Sequence, residues 1–244
     1  MSFALNKAHV SIVLVRPQSP GNIGSVARVM RNMGFARLVL VAPGRFPHPE
    51  ARMMASGARD LLEAAEVHDT LAAATATYHW LAGTSARQRQ HRNLPLTPRQ
   101  LGDKLPALCR QYQVGLVFGP EDAGLTTAEL DACHDLVAIP TSPEAPSLNL
   151  AQAVAVVCYE ISQPRHIPDA PSAPPLASVA ESEAMYQHLR QAFSIRGFAG
   201  EPAVERALSG LRRIFERTGL ERRDVRLLRG IARQLGWALR YPRR

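Results

Sequence analysis

Apolar positions along the chain fall into two alternating patterns. Short runs rich in β-branched residues, "HVSIVLV" (9–15), "RLVLV" (37–41), "YHWLAG" (78–83), "VGLVFG" (114–119) and "DLVAI" (135–139), predict buried strands. Between them the apolar spacing lengthens to three and four. In "SPGNIGSVARVMRNMG" (19–34), Ile23, Val26, Ala27, Met30 and Met33 share one helical face, and Gly34 closes the helix. Further helices are predicted near 97–111, 126–133 and 149–162, with a mixed helical region between the second and third strands. Strands alternating with helices predict an α/β fold built on a parallel sheet.

The pattern changes near residue 162. "SQPRHIPDAPSAPPLAS" (162–178) is broken by proline and has little to pack, so a linker is expected there. Beyond it, 181–194, 201–217 and 221–240 read as three amphipathic helices. The expected layout is an α/β domain over 1–163, a proline-rich linker over 164–180 and a small helical module over 181–244.

Charge sharpens this division. The net charge of the 244 residues is +8, yet residues 1–163 carry 14 basic and 13 acidic side chains, while 164–244 carry 15 basic and 8 acidic. All 15 basic residues of the tail are arginine, which pairs with phosphate and stacks on bases. The tail is thus either a nucleic-acid surface or a solvated helix face. With 46% hydrophobic and 20% charged residues, no membrane-length apolar run and no signal-peptide layout at the start, a cytoplasmic protein with no membrane partner is expected. Cys109, Cys133 and Cys158 are odd in number and lack zinc spacing, so neither a disulfide frame nor a metal site is expected.

Ligands of open parallel sheets gather beyond the carboxyl ends of the strands. Three predicted strands end there in "GTSAR" (83–87), "GPEDAGL" (119–125) and "PTSPEAPSLN" (140–149), loops that offer backbone N–H and C=O groups to a planar polar ligand. The same residues also make ordinary turns. No G-x-x-x-x-G-K-[ST], G-x-G-x-x-G, H-E-x-x-H or G-x-S-x-G occurs, which disfavours phosphate-loop, dinucleotide and familiar hydrolase chemistry and leaves an adenosine-like ligand open. Asn22, Ser25, Arg28 and Asn32 form a polar stripe on the first helix, where Arg28 is either a surface arginine or a phosphate grip. Glu121 either begins a helix with Asp122 or acts in a site, and Ser147 either caps the last helix or meets a ligand. The helix over 149–162 is apolar around nearly its whole circumference, so it must be covered on all sides, and a partner subunit is a reasonable cover.

Taken together, "GNIGSVARVMRNMG", "GTSAR", "VFGPEDAGL" and "IPTSPEAPSLNLAQAVAVVCYE" resemble the SPOUT-class RNA 2′-O-ribose methyltransferases over about residues 8–162. Within them the chain is most similar to the bacterial TrmJ-type branch, which methylates nucleotide thirty-two of the tRNA anticodon loop; "DVRLLRGIARQLGW" (224–237) resembles that branch's C-terminal helix. The resemblance implies a sheet whose C-terminal part is tied in a trefoil knot. It implies S-adenosylmethionine as methyl donor, S-adenosylhomocysteine as product, and no metal. It also implies tRNA as substrate and a homodimer through the helix near 149–162. By the same likeness Asn22, Arg28, Glu121, Ser147 and Asn149 fall on the catalytic motifs. Thr84, Ser85, Ala86, Gly119, Ile139, Ser147 and Leu148 fall where the family wraps its cofactor. Arg28 is expected to grip the RNA backbone, with the other four holding it and the loops in place. The alternatives are a ribosomal-RNA 2′-O-methyltransferase and a non-catalytic RNA-binding protein.

Overall fold

The computed structural model describes residues 2–3, 5–85, 95–163, 165–166, 175–195, 200–215 and 219–240. In chain order the elements are β1 (Ser2–Phe3), β2 (Val10–Val15), α1 (Pro20–Met33), β3 (Arg37–Val41), α2 (Pro49–Met54), α3 (Arg59–Glu63), β4 (Glu66–His68), α4 (Leu71–Thr75) and β5 (Trp80–Thr84). They continue with α5 (Pro98–Leu108), β6 (Val114–Phe118), α6 (Thr127–Asp131), β7 (Asp135–Val137), α7 (Leu150–Ser162), β8 (Arg165–His166), α8 (Val179–Phe193), α9 (Glu201–Phe215) and α10 (Arg222–Arg240).

Six strands form one parallel sheet in the order β4-β3-β2-β6-β5-β7, and β1 pairs antiparallel with β8 apart from it. The unbroken apolar runs are explained by cover on both faces. Along β2, Val10, Ile12 and Leu14 enter one core with α1, α5 and α7, while Val13 and Val15 enter the opposite core with Ala74, Leu130 and Val179. β3 alternates the same way, with Leu38 and Leu40 on one side and Val39 and Val41 on the other.

Helix α1 starts where its sequence says it should. The Ser19 hydroxyl accepts from the Asn22 N–H, Pro20 occupies the first turn, and Gly34 ends the helix at φ 75°. A cap of this kind stabilises by about 1 kcal/mol. The edge strand β4 lies inside the region expected to be mixed helix. It consists of Glu-Val-His with Val67 53% exposed, so it carries no apolar run to announce it.

Helices α8, α9 and α10 share their own core around Met185, Tyr186, Leu189, Val204, Leu208 and Val225. This module docks on the α/β body. The Val179 N–H donates to the Tyr78 carbonyl at 2.7 Å, and the Ser209 hydroxyl meets Asp131 Oδ2 at 3.1 Å. Among the described residues no helix is long and apolar enough to cross a membrane.

Candidate active site

The three strand-end loops leave the sheet side by side, because β6, β5 and β7 are parallel neighbours. They enclose a cavity of about 270 Å³. Thr84, Ser85, Gly119, Ile139, Ser147 and Leu148 all line it, together with Glu121. Of the residues expected around a cofactor, Ala86 alone lies outside the described residues.

Each wall has a local cause. Thr84 Oγ1 donates to the Val117 carbonyl at 3.1 Å and the Ser85 N–H to the Val137 carbonyl at 3.0 Å, so the end of β5 is tied to both neighbours. A Cβ on Gly119 would sit 2.3 Å from the Leu125 backbone nitrogen, so only glycine permits the loop over 119–125 to fold back on itself. α7 begins at Leu150, and its cap is Asn149, whose Oδ1 accepts from the Ala151 and Gln152 N–H groups. Ser147 is therefore not the cap; it stands exposed on the cavity rim.

A chain of hydrogen bonds joins three of the expected residues. Asn149 Nδ2 donates to Asn22 Oδ1 at 2.9 Å, and Asn22 Nδ2 donates to Glu121 Oε1 at 2.7 Å. Glu121 also accepts from the backbone N–H groups of Gln18 at 3.0 Å and Ser19 at 3.3 Å. Burial pushes the Glu121 carboxyl up, but the donors from Asn22, Gln18 and Ser19 outweigh it and hold the group below its ordinary value. Glu121 is thus an ionised bolt across residues far apart in sequence. It does not start a helix, since α6 begins at Thr127 under a Thr126–Glu129 capping box. Arg28 lies on α1 six residues past Asn22, exposed and outside this chain of bonds. Asn22, Glu121 and Asn149 are brought together, and Arg28 is left free of them.

Two further supports have no counterpart in the sequence motifs. Arg16, at the end of β2 with φ 47°, makes a bidentate pair with Glu129, its Nη2–Oε2 distance being 3.0 Å. Nothing in the local sequence marks that pairing. Beneath β5, His134 is half-buried and stacked on Trp80, and its Nδ1 faces the Leu81 N–H at 3.1 Å. Burial, aided by Lys104, depresses its pKa to about 3, so the ring stays neutral and structural. Among the described residues no cluster of His, Cys, Asp and Glu could hold a metal ion.

Comparison with known proteins decides what this geometry belongs to. Residues 9–159 match the SpoU rRNA Methylase family, and residues 180–243 match the C-terminal domain of tRNA methyltransferase TrmJ. The chain belongs to the SpoU methylase family, in its TrmJ branch. It is 38% identical over 97% of its length, and 95% of the relative's, to the tRNA (cytidine/uridine-2′-O-)-methyltransferase TrmJ of Yersinia pestis. It is 40% identical, over 91% of both chains, to the tRNA (cytidine/uridine/adenosine-2′-O-)-methyltransferase TrmJ of Pseudomonas aeruginosa. The crystal structure of TrmJ from Z. mobilis ZM4 superposes with a TM-score of 0.82 at 36% identity, covering 92% of this chain and 98% of that one. The match spans both the parallel sheet and the helical module, so this is a methyltransferase of that branch.

Proposed function

We propose that the chain transfers the methyl group of S-adenosylmethionine to the ribose 2′-hydroxyl of a cytidine or uridine at nucleotide thirty-two of the tRNA anticodon loop, releasing S-adenosylhomocysteine. The observation that carries this reading is the cavity itself: six of the seven expected cofactor residues line one space, together with Glu121, which Asn22 and, through it, Asn149 hold in place. Its lining suits a nucleoside bearing a positive charge. Phe118, Leu125, Ile139 and Leu148 supply apolar walls, the loops supply backbone donors and acceptors, and Glu121 and Asp122 are both held ionised at its edge.

When bound, S-adenosylmethionine supplies a methyl group already activated on a sulfonium. The chain must then place a weak oxygen nucleophile and deal with its proton. Arg28 places the nucleophile, and the hydroxyl proton passes to an oxygen of the phosphate that Arg28 grips, since a guanidinium cannot itself accept it. The Arg28 guanidinium is free of the bolted network and exposed on α1, the helix whose Asn22 bonds to Glu121 of the cavity wall, and it grips the phosphate next to the target ribose. Asn22, Glu121 and Asn149 are positioning residues that fix α1 against the loop after β6 and the start of α7. Ser147 and Leu148 border the donor.

The branch's C-terminal domain, +7 in charge over 164–244, clamps the tRNA. α7 packs on α1 and α5 but leaves Val156 and Tyr159 exposed at 37% and 53%, and a second copy of the chain covers that strip in a homodimer. The knotted crossing of the sheet's C-terminal part and a cytoplasmic location belong to the same reading. Incubation with labelled S-adenosylmethionine and total tRNA, and in parallel with ribosomal RNA, followed by mapping of the modified nucleotide, tests it. Label at the 2′-oxygen of nucleotide thirty-two is expected; label only in ribosomal RNA, or none, would overturn the assignment.

A further inference from the structure

Helix α10 carries a row of arginines that the α/β site does not use. Arg222, Arg226, Arg229 and Arg233 recur at helical spacing along one side, over roughly 16 Å of axis. Among the described residues Arg226 and Arg233 have no carboxylate within ion-pair distance, whereas Arg190, Arg212 and Arg222 of the same module each do. One turn past Arg233 on that side stands Trp237, 55% exposed.

Behind the indole lies a separate groove of about 250 Å³ between α8 and α10, lined by Trp237, Arg233, His188 and Gln191 and floored by Ala192 and Gly236. It is smaller than the roughly 300–1,000 Å³ of an ordinary small-molecule site, and so suits a single ring system. Arg229 Nε donates to His188 Nδ1 at 3.1 Å, which fixes that imidazole and leaves its Nε2–H as a donor. Gln191 adds an amide with both donors and an acceptor. An aromatic face, hydrogen-bonding groups of both kinds and a neighbouring row of cations match one ligand class, an unstacked nucleobase on a phosphate backbone.

We propose that this groove takes an extruded base of the bound tRNA, stacked on Trp237, while Arg226 and Arg233 hold the adjoining phosphates. The inference rests on the tRNA reading of the C-terminal module and adds a base contact to it. The site lies on the helical module, apart from the methyl-donor cavity, so it governs how the RNA is held and not the transfer itself.

The chain's two tryptophans make a direct test possible, since Trp80 is only 3% exposed. Tryptophan emission and filter retention are followed together as tRNA is titrated into the full-length protein. The wild type is expected to lose emission in step with retention. Trp237→Phe keeps an aromatic platform, so it retains tRNA within about threefold of wild type but shows no quench. Trp237→Ala weakens retention on the order of tenfold with an unchanged salt slope, because stacking releases no counterions. Retention without quenching in the wild type, the same quench in Trp237→Phe, or wild-type affinity in Trp237→Ala would each overturn the groove assignment and leave the tRNA reading standing. No retention of tRNA at all would overturn both.

Discussion

Glu121 and Arg233 are both charged residues on the two surfaces proposed to act, yet they are held in opposite ways. Glu121 receives Asn22, Gln18 and Ser19 as donors and is locked between two loops and a helix. Arg233 projects from α10 with solvent around it. A cavity edge that, as proposed, holds reacting groups must do so to within a fraction of an ångström, and its polar atoms are fixed by other protein atoms before any ligand arrives. The outer face of α10, as proposed, attracts a polyanion, and charge acts over a Debye length without fixed geometry. Arg28 lies between these extremes, on the rigid helix α1 but outside its bonded network.

That contrast sets the order of expected effects. Removing Arg28 should break the reaction and spare the scaffold. Arg28→Ala is expected to lower turnover about 10²–10⁴-fold while S-adenosylmethionine affinity, measured by calorimetry, stays near wild type. Turnover within about threefold of wild type would remove Arg28 from the chemistry. Arg226→Ala with Arg233→Ala should leave cofactor affinity unchanged and reduce the salt slope of tRNA binding by about 1 to 2, because fewer counterions are released.

How much of this is legible in the sequence follows from where each signal lies. Strands β2, β3, β5 and β6 announce themselves because both faces of the sheet are covered and, Arg37 at the start of β3 apart, every residue of each run is apolar or small. β4 cannot be found that way, being a half-exposed edge. In α7 the apolar content is visible but its orientation is not: α1 and α5 cover one side, and Val156 and Tyr159 face out. The cavity residues are placed by resemblance to a family and not by periodicity. The bond between Asn22 and Glu121 spans 99 residues, and no local pattern encodes a pairing at that range. Glu121 looks equally like a helix start, and the reading of Ser147 as a cap loses to Asn149 two residues on.

Smaller effects sharpen the picture of the bolted edge. Asn149→Ala removes both the α7 cap and the bond to Asn22, and a loss of about 1–2 kcal/mol in chemical denaturation is expected. The smallest effect is a dependence on acid. Glu121 has a folded-state pKa below its ordinary value of 4.5, so its stabilisation is complete above about that pH and drains away as pH falls through the folded value. Glu121→Gln should therefore lie below the wild type in melting temperature at neutral pH and converge with it under acid. Curves that stay parallel down to acid would show that the carboxylate's charge contributes nothing.

The most direct test is calorimetric titration of S-adenosylmethionine into the wild-type chain and into Gly119→Ala, whose added methyl collides with the Leu125 backbone nitrogen at the mouth of the cavity. The wild type is expected to bind one equivalent per chain, and the variant to melt cooperatively yet bind at least tenfold more weakly, a loss of about 1.4 kcal/mol or more. No uptake by the wild type with or without tRNA, or equal affinity in the variant, would contradict the placement of the methyl donor between these three loops.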